Sequence, residues 1–303
     1  MAAAEPLFKE IDSIKGFEYP VACTGVCVSS NQRRIVTLGV YKPAVKLFDL
    51  GSMTMKFERH LVADPIQVLS LVDNAEKFVI LRKDRTLEFH SRNGLHDTVR
   101  MPYQPREMLF NPVCSELYAC GAYDTVFRFS LEQGRFLKGI DASNIRGLAF
   151  SDRHGLIAGV SAECVHLIDS RSRETVLTRN VPGAALSCID FSDNAVNYAV
   201  ATEEGALMGY DIRADAPTHR TSLDGPVGRI KYSGRHLLCS SGSSISVFSE
   251  DWKSTRIETE FSINSFDISG GLLAVGGEYE EMRCYFSDRL GPVPSWCSNV
   301  VLG

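Results

Sequence analysis

The sequence predicts an all-β protein folded as a single seven-bladed β-propeller. Three observations predict it. A short strand carrying a large aromatic or aliphatic anchor recurs along the chain at a period of about 40 residues, the length of one four-stranded blade. A polar turn precedes each anchor on the same beat. No window carries a 3.6-residue apolar stripe, so helix content is expected to be very low.

In chain order, the anchor strands are VKLFDL (45–50), LEFHS (87–91), VFRFSL (126–131), VHLIDS (165–170), LMGYDI (207–212), ISVFS (245–249) and MRCYF (282–286). Their anchors are Phe48, Phe89, Phe129, Ile168, Tyr210, Phe248 and Tyr285, separated by 41, 40, 39, 42, 38 and 37 residues. Ahead of each lies a turn: SSN (29–31), DN (73–74), NP (111–112), SD (151–152), SDN (192–194), SG (233–234) and SGG (269–271). These residue types tolerate positive φ or bond their own backbone. An alternating strand such as CIDF (188–191) leads into the turn, and a nearly continuous apolar strand such as FVIL (78–81) leaves it. A second turn, as at Asp84-Arg85, Asp124-Thr125 or Glu204-Gly205, then opens onto the anchor strand. One blade cannot bury both of its faces alone. A ring of blades buries each against its neighbours, so the middle strands read apolar. The result is a WD40-like propeller over residues 22–289 with short terminal extensions. Residues 1–21 form an N-terminal segment in which PLFKEIDSI (6–14) is the candidate closure strand for the last blade. Residues 290–303 form a C-terminal tail with two prolines, expected to run over the surface.

Composition narrows the function classes. The net charge is −5, so affinity for nucleic acid cannot come from bulk charge and must come from local patches. The cysteines are nine in number and include no CxxC pair, which reads as buried thiols in a reducing compartment. The N-terminus lacks a basic region followed by an apolar core, and no run of about 18 apolar residues appears. A soluble intracellular protein is expected.

Little in the sequence points to catalysis. The histidines (His60, His90, His96, His154, His166, His219, His236) never fall at metal-ligand spacing with cysteines or carboxylates. The Gly-rich stretches at 241–244 and 270–277 open no helix that would cradle a phosphate. Glu278-Tyr279-Glu280-Glu281 reads as a solvated loop tip. Two basic clusters at hairpin turns are more promising: Gln32-Arg33-Arg34 and Arg82-Lys83-Asp84-Arg85. Loops on a rigid scaffold are where binding residues gather.

Several segments are not generic to propellers of this type. They are Tyr41-Lys42-Pro43 before VKLFD, Lys56-Phe57-Glu58-Arg59, DRTLEFHS (84–91) with Gly94, LEQGR (131–135), Tyr210-Asp211-Ile212-Arg213 with Asp215 and Pro217, and Leu290-Gly291-Pro292 with Pro294, Trp296 and Cys297. In order and spacing, over roughly residues 15 to 298, they resemble the nucleolar protein 10 family, called essential nuclear protein 2 in yeast. The resemblance implies a non-catalytic scaffold of the nucleolar small-subunit processome (90S pre-ribosome), supporting pre-18S rRNA processing and small-subunit assembly. Its implied partners are other assembly factors and, through basic rim patches, pre-rRNA. It implies no cofactor, no metal, no membrane and no small-molecule substrate. Resemblance and rim position together mark Lys42, Pro43, Arg82, Lys83, Arg85, Glu132, Arg135, Pro292 and Trp296 as interaction residues. Family members also carry extra residues before the first repeat and a long charged extension after the Trp-Cys motif, and contacts made by those extensions are not carried over. The alternative is an adaptor in another complex, such as a ubiquitin-ligase substrate receptor, for which Asp84-Arg85 is a weak match. An enzyme with its site at the central channel would require clustered histidines or carboxylates at several inner strand ends.

Overall fold

Among the described residues, twenty-eight strands pair into seven four-stranded antiparallel sheets. The structure is a computed structural model that describes residues 7–11, 17–181 and 185–299. Among these the only helix is a short 3-10 turn, Ser295–Asn299. Blades 1 to 6 are simple meanders whose strand order follows the chain. Their first strands, and that of blade 7, meet around the axis. These inner strands are Ala22–Val28, Pro65–Ser70, Pro105–Asn111, Gly147–Ser151, Leu186–Phe191, Val227–Ser233 and Ile263–Ser269.

Blade 7 is different. Its inner three strands are Ile263–Ser269, Leu272–Gly277 and Arg283–Phe286, and the fourth is Lys9–Glu10 from the N-terminus. Lys9 pairs with Phe286 and Glu10 with Tyr285. The flanking Phe8 and Ile11 are buried, so the ring is latched by side chains as well as by a two-residue ladder. Of the candidate closure segment 6–14, Pro6 and residues 12–14 lie outside the described residues.

The core is divided into seven seams, one between each pair of neighbouring blades. This is the physical content of the 40-residue beat: each anchor faces the preceding blade. Phe48 lies in the seam between blades 7 and 1, Phe129 in that between blades 2 and 3, and Tyr210 in that between blades 4 and 5. Blade 2 corrects one anchor. Phe89 faces blade 3 and stacks on Phe129 with ring centroids 5.7 Å apart. The equivalent position is His90, which pairs with Phe78 and stacks on its ring at 5.2 Å. A one-residue slip moves a strand residue to the opposite face. The large residue of LEFHS belongs to the wrong face for the repeat.

The tail also departs from expectation. Leu290 and Cys297 are buried in core clusters, and Val293 and Trp296 pack against the seam between blades 7 and 1. The Pro292 carbonyl accepts hydrogen bonds from Gln32 Nε2 (2.8 Å) and from the Gly271 amide (3.0 Å). Both chain ends therefore close the same junction, one edge-on and one from below.

Candidate functional site

A four-stranded meander puts its turns at alternate ends. The turns after the second strands, together with the loops between blades, form one face of the ring, here called upper. The turns after the first and third strands form the lower face. Backbone hydrogen bonds tie neighbouring upper loops to one another. Leu61 donates to Pro43 O (2.8 Å), Lys83 to Asp64 O (2.8 Å), Met101 to Arg85 O (2.7 Å) and Asn144 to Tyr123 O (2.9 Å).

The marked residues divide between the two faces. Lys42, Pro43, Lys83 and Arg85 come together on the upper face of blades 1 and 2. Lys42 is exposed, and Lys83 is exposed beside Asp64, its nitrogen 3.2 Å from that carboxylate. Arg85 donates to Pro102 O at 3.1 Å. Glu132 and Arg135 are exposed at the lower turn of blade 3, where Gly134 takes a φ of 63°, a conformation that suits glycine. Pro292 is exposed on the docked tail, while Trp296 is half-buried as packing. The two basic clusters lie on opposite faces, because Gln32-Arg33-Arg34 occupies a first turn and Lys83-Asp84-Arg85 a second.

Arg82 needs a correction: it is buried and offers nothing to a partner. Its guanidinium is bound by Asp84 and Glu88. Glu88 meets His90 Nε2 at 3.1 Å. His90 Nδ1 lies 3.4 Å from Arg59 of blade 1. Arg59 stacks over Phe57 at 3.8 Å and donates to the Ser91 and Arg92 carbonyls, each at 2.9 Å. Two of the distinctive segments, KFER and DRTLEFHS, are thus halves of one internal network. It joins blade 1 to blade 2 and ends at the turn bearing Lys83 and Arg85. Blade 3 has a counterpart: Arg128, with its side chain 1 % exposed, is held by both oxygens of Glu116, which also accepts from Tyr118.

The axis carries a second set of polar groups. Glu107 accepts from the Leu148 amide (2.9 Å), Asp190 from Tyr232 (2.7 Å) and Asp267 from Val28 (2.7 Å). Gln67 bonds both backbone groups of Met108, at 2.7 and 3.0 Å. Each of these side chains stitches its inner strand to that of the next blade. Burial pushes the Glu107 carboxyl up and the Asp190 carboxyl up to about 6, against the pull of the Tyr232 amide and Lys231. The cysteines are free, and burial raises the Cys23 and Cys27 thiols to about 12, leaving them as packing groups. Among the described residues no cluster of His, Cys, Asp and Glu has the geometry to hold a metal ion.

The upper face also exposes large aromatic and apolar side chains. Tyr41 is 78 % exposed, Val62 87 % and Tyr103 58 %. Tyr103 and Tyr123 lie with ring centroids 5.3 Å apart. Their exposure has no signature in a strand pattern, although Tyr41 adjoins the marked Lys42-Pro43. The lower face has a cleft of about 620 Å³ between blades 5 and 6, lined by His219 and Trp252, which stack at 5.0 Å, and by Arg153, Asn194, Arg235 and Glu250.

Comparison with known proteins gives this architecture a family. Residues 2–301 match the family described as "Nucleolar protein 10-like, N-terminal domain". The chain belongs to this family. Nucleolar protein 10 of Mus musculus is 31 % identical over 96 % of the chain and 45 % of the relative. "Ribosome biogenesis protein enp2 homolog" of Schizosaccharomyces pombe is 28 % identical over 96 % of the chain and 51 % of the relative. "Ribosome biogenesis protein ENP2" of Saccharomyces cerevisiae is 26 % identical over 95 % and 44 %. The chain thus spans about half the length of the curated relatives it matches. The family match also takes in the N-terminal strand that latches blade 7.

Proposed function

We propose that the chain is a non-catalytic scaffold subunit of the small-subunit processome, acting in the nucleolus to support pre-18S rRNA processing and small-subunit assembly. The observation that carries the reading is the family match along the whole propeller, to relatives named for the nucleolus and for ribosome biogenesis. The geometry supports it. The carboxylates that face the axis are occupied by backbone amides of neighbouring blades, and the buried charges of blades 2 and 3 by one another. What remains for partners is a rigid ring with two dissimilar loop faces. Its proposed partners are other assembly factors, reached through exposed loops such as that of Glu132 and Arg135, and pre-rRNA. The rival reading as a ubiquitin-ligase receptor leans on Asp84-Arg85, but the Asp84 carboxylate is already held by Arg82.

Purification of the tagged chain with identification of bound protein and RNA tests the reading. Small-subunit assembly factors and precursor rRNA are expected together. Recovery of a ligase core without precursor rRNA refutes it.

A further inference from the structure

We infer that single-stranded RNA runs along one arc of the upper face, over blades 1 to 3, and is excluded from the opposite arc. The inference rests on the proposed role in pre-rRNA processing and names the surface and the form of RNA. Six side chains define the arc: Tyr41, Lys42, Lys83, Arg85, Tyr103 and Arg106. Their loops are joined by backbone hydrogen bonds from Pro43 to Met101, and the ring of Tyr103 against that of Tyr123 carries the contact into blade 3. Arg106 carries the arc onward, donating to Asn144 Oδ1 at 3.4 Å. Among the described residues no carboxylate pairs with Lys42 or Arg106. Two acids lie inside the arc, and both are engaged: Asp64 by Lys83 and Asp84 by Arg82. Asp124 marks its far end.

Exposed rings between cations are the chemistry of single-strand binding. Bases stack on the rings whatever their identity, and the cations follow the phosphates. A duplex hides its base faces, and an acidic peptide has none, so neither would use Tyr41 and Tyr103. The turn itself points the same way. Tyr41 and Lys42 both sit at positive φ, 65° and 55°, in a two-residue turn. Asn-Gly is the usual occupant of such a turn. Two bulky residues there cost the fold something, and what they provide is a ring and an ammonium held outward.

The rest of the upper face has the opposite charge. Blade 5 presents Glu204 beside Glu203, which is paired with Arg146, and blade 7 presents Glu278, Glu280 and Glu281. Phosphates are repelled from that side, so a strand has one path across the ring. This also reconciles a net charge of −5 with RNA contact.

The test is fluorescence anisotropy with the purified chain and a labelled single-stranded RNA of mixed sequence about 12 nucleotides long. Binding is expected at 50 mM salt and should weaken on raising the salt. Lys42→Ala and Lys83→Ala should each flatten the log–log salt slope by about 0.7. Tyr41→Ala and Tyr103→Ala should each weaken binding about 5-fold or more without changing that slope, the signature of lost stacking. Arg33→Ala, on the lower face, should alter neither. All these side chains are exposed, and circular dichroism should show each variant folded like the parent. Three results would overturn the inference: no binding at low salt, tyrosine variants that bind like the parent, or a poly-glutamate peptide that competes as well as RNA. Because the assay uses the isolated chain, such a failure would leave the scaffold reading standing on its own co-purification test.

Discussion

Asp190 makes the polar axis testable. It sits on the inner strand of blade 5, and its Oδ2 accepts the Tyr232 amide of blade 6 at 2.7 Å. Burial lifts its carboxyl from 3.8 to about 6, despite that amide and the nearby Lys231 and Arg229. The folded protein therefore holds a proton more tightly than the unfolded chain does. Between about pH 4 and pH 6 the native state binds more protons, so stability should fall as pH rises through that window. A shift of about two units corresponds to about 3 kcal/mol at about 1.4 kcal/mol per unit; screening by water near the axis brings the expectation to about 1–3 kcal/mol.

Asp190→Asn keeps an acceptor for the Tyr232 amide and removes the charge. At pH 3, below the ordinary carboxyl value, the variant and parent should have similar stability. At pH 7 the variant should be the more stable by about 1–3 kcal/mol. Urea unfolding followed by circular dichroism at the two pH values measures both gaps. Asp190→Ala gives the contrast: it leaves the Tyr232 amide unpaired and should cost about 1–3 kcal/mol at acid pH, where the charge is absent from both proteins. The reasoning fails if Asp190→Asn is less stable than the parent at pH 7 while matching it at pH 3. That result would mean that the ionised carboxylate gains more from Lys231 and Arg229 than burial costs it.

Three further perturbations probe the ring. Arg128→Ala strips the buried Glu116 of its partner and should cost about 3–5 kcal/mol, read from denaturant midpoints; a loss below 1 kcal/mol would show that Glu116 finds water. Phe8→Ala opens the latch of blade 7 and should cost about 3–5 kcal/mol, and limited proteolysis should then cut first near the N-terminus rather than within blades 2 to 5. Gly39→Ala places a methyl group against the ring of Tyr19, which bonds Thr37 and lies beneath Lys46, so its thermal midpoint should drop by several degrees, whereas Gly94→Ala meets no neighbouring atom and tests φ strain alone.

Much of the ring was legible because burial against two neighbours imposes a repeat on the sequence. Two places were not, each for a physical reason. In blade 2 the repeat position carries His90, whose hydrogen-bond partners Glu88 and Arg59 make a polar residue acceptable in a seam. A search for large apolar anchors settles on Phe89 instead. The closing strand was legible within residues 6–14, although its ladder is only two residues long and its hold comes from Phe8 and Ile11 on either side. The prolines of the tail suggested surface, yet proline removes only a donor. Leu290 and Cys297 still reach the core. The site was legible only by halves. The basic turns stood out, but which face each turn occupies depends on strand parity. The exposure of Tyr41 and Tyr103 is a property of loops that no strand pattern encodes.

The distinctive segments and the proposed binding surface are different residues, and the network of blade 2 connects them. Arg59 reaches from blade 1 to the Ser91 and Arg92 carbonyls of blade 2. The chain then runs through His90, Glu88 and Arg82 to Asp84, inside the turn that presents Lys83 and Arg85. Leu61 and Lys83 fasten that turn to the loop of Asp64 and to Pro43, beside Lys42. A buried run of charges is a poor source of stability, because desolvation offsets most of the pairing energy. It is a good source of geometry, since each member has one satisfied arrangement. Loss of Arg59 should therefore disturb the spacing of Lys42 and Lys83 before it unfolds the ring. Cations held in place in advance lose less side-chain freedom when a phosphate backbone docks on them, so positioning them strengthens binding.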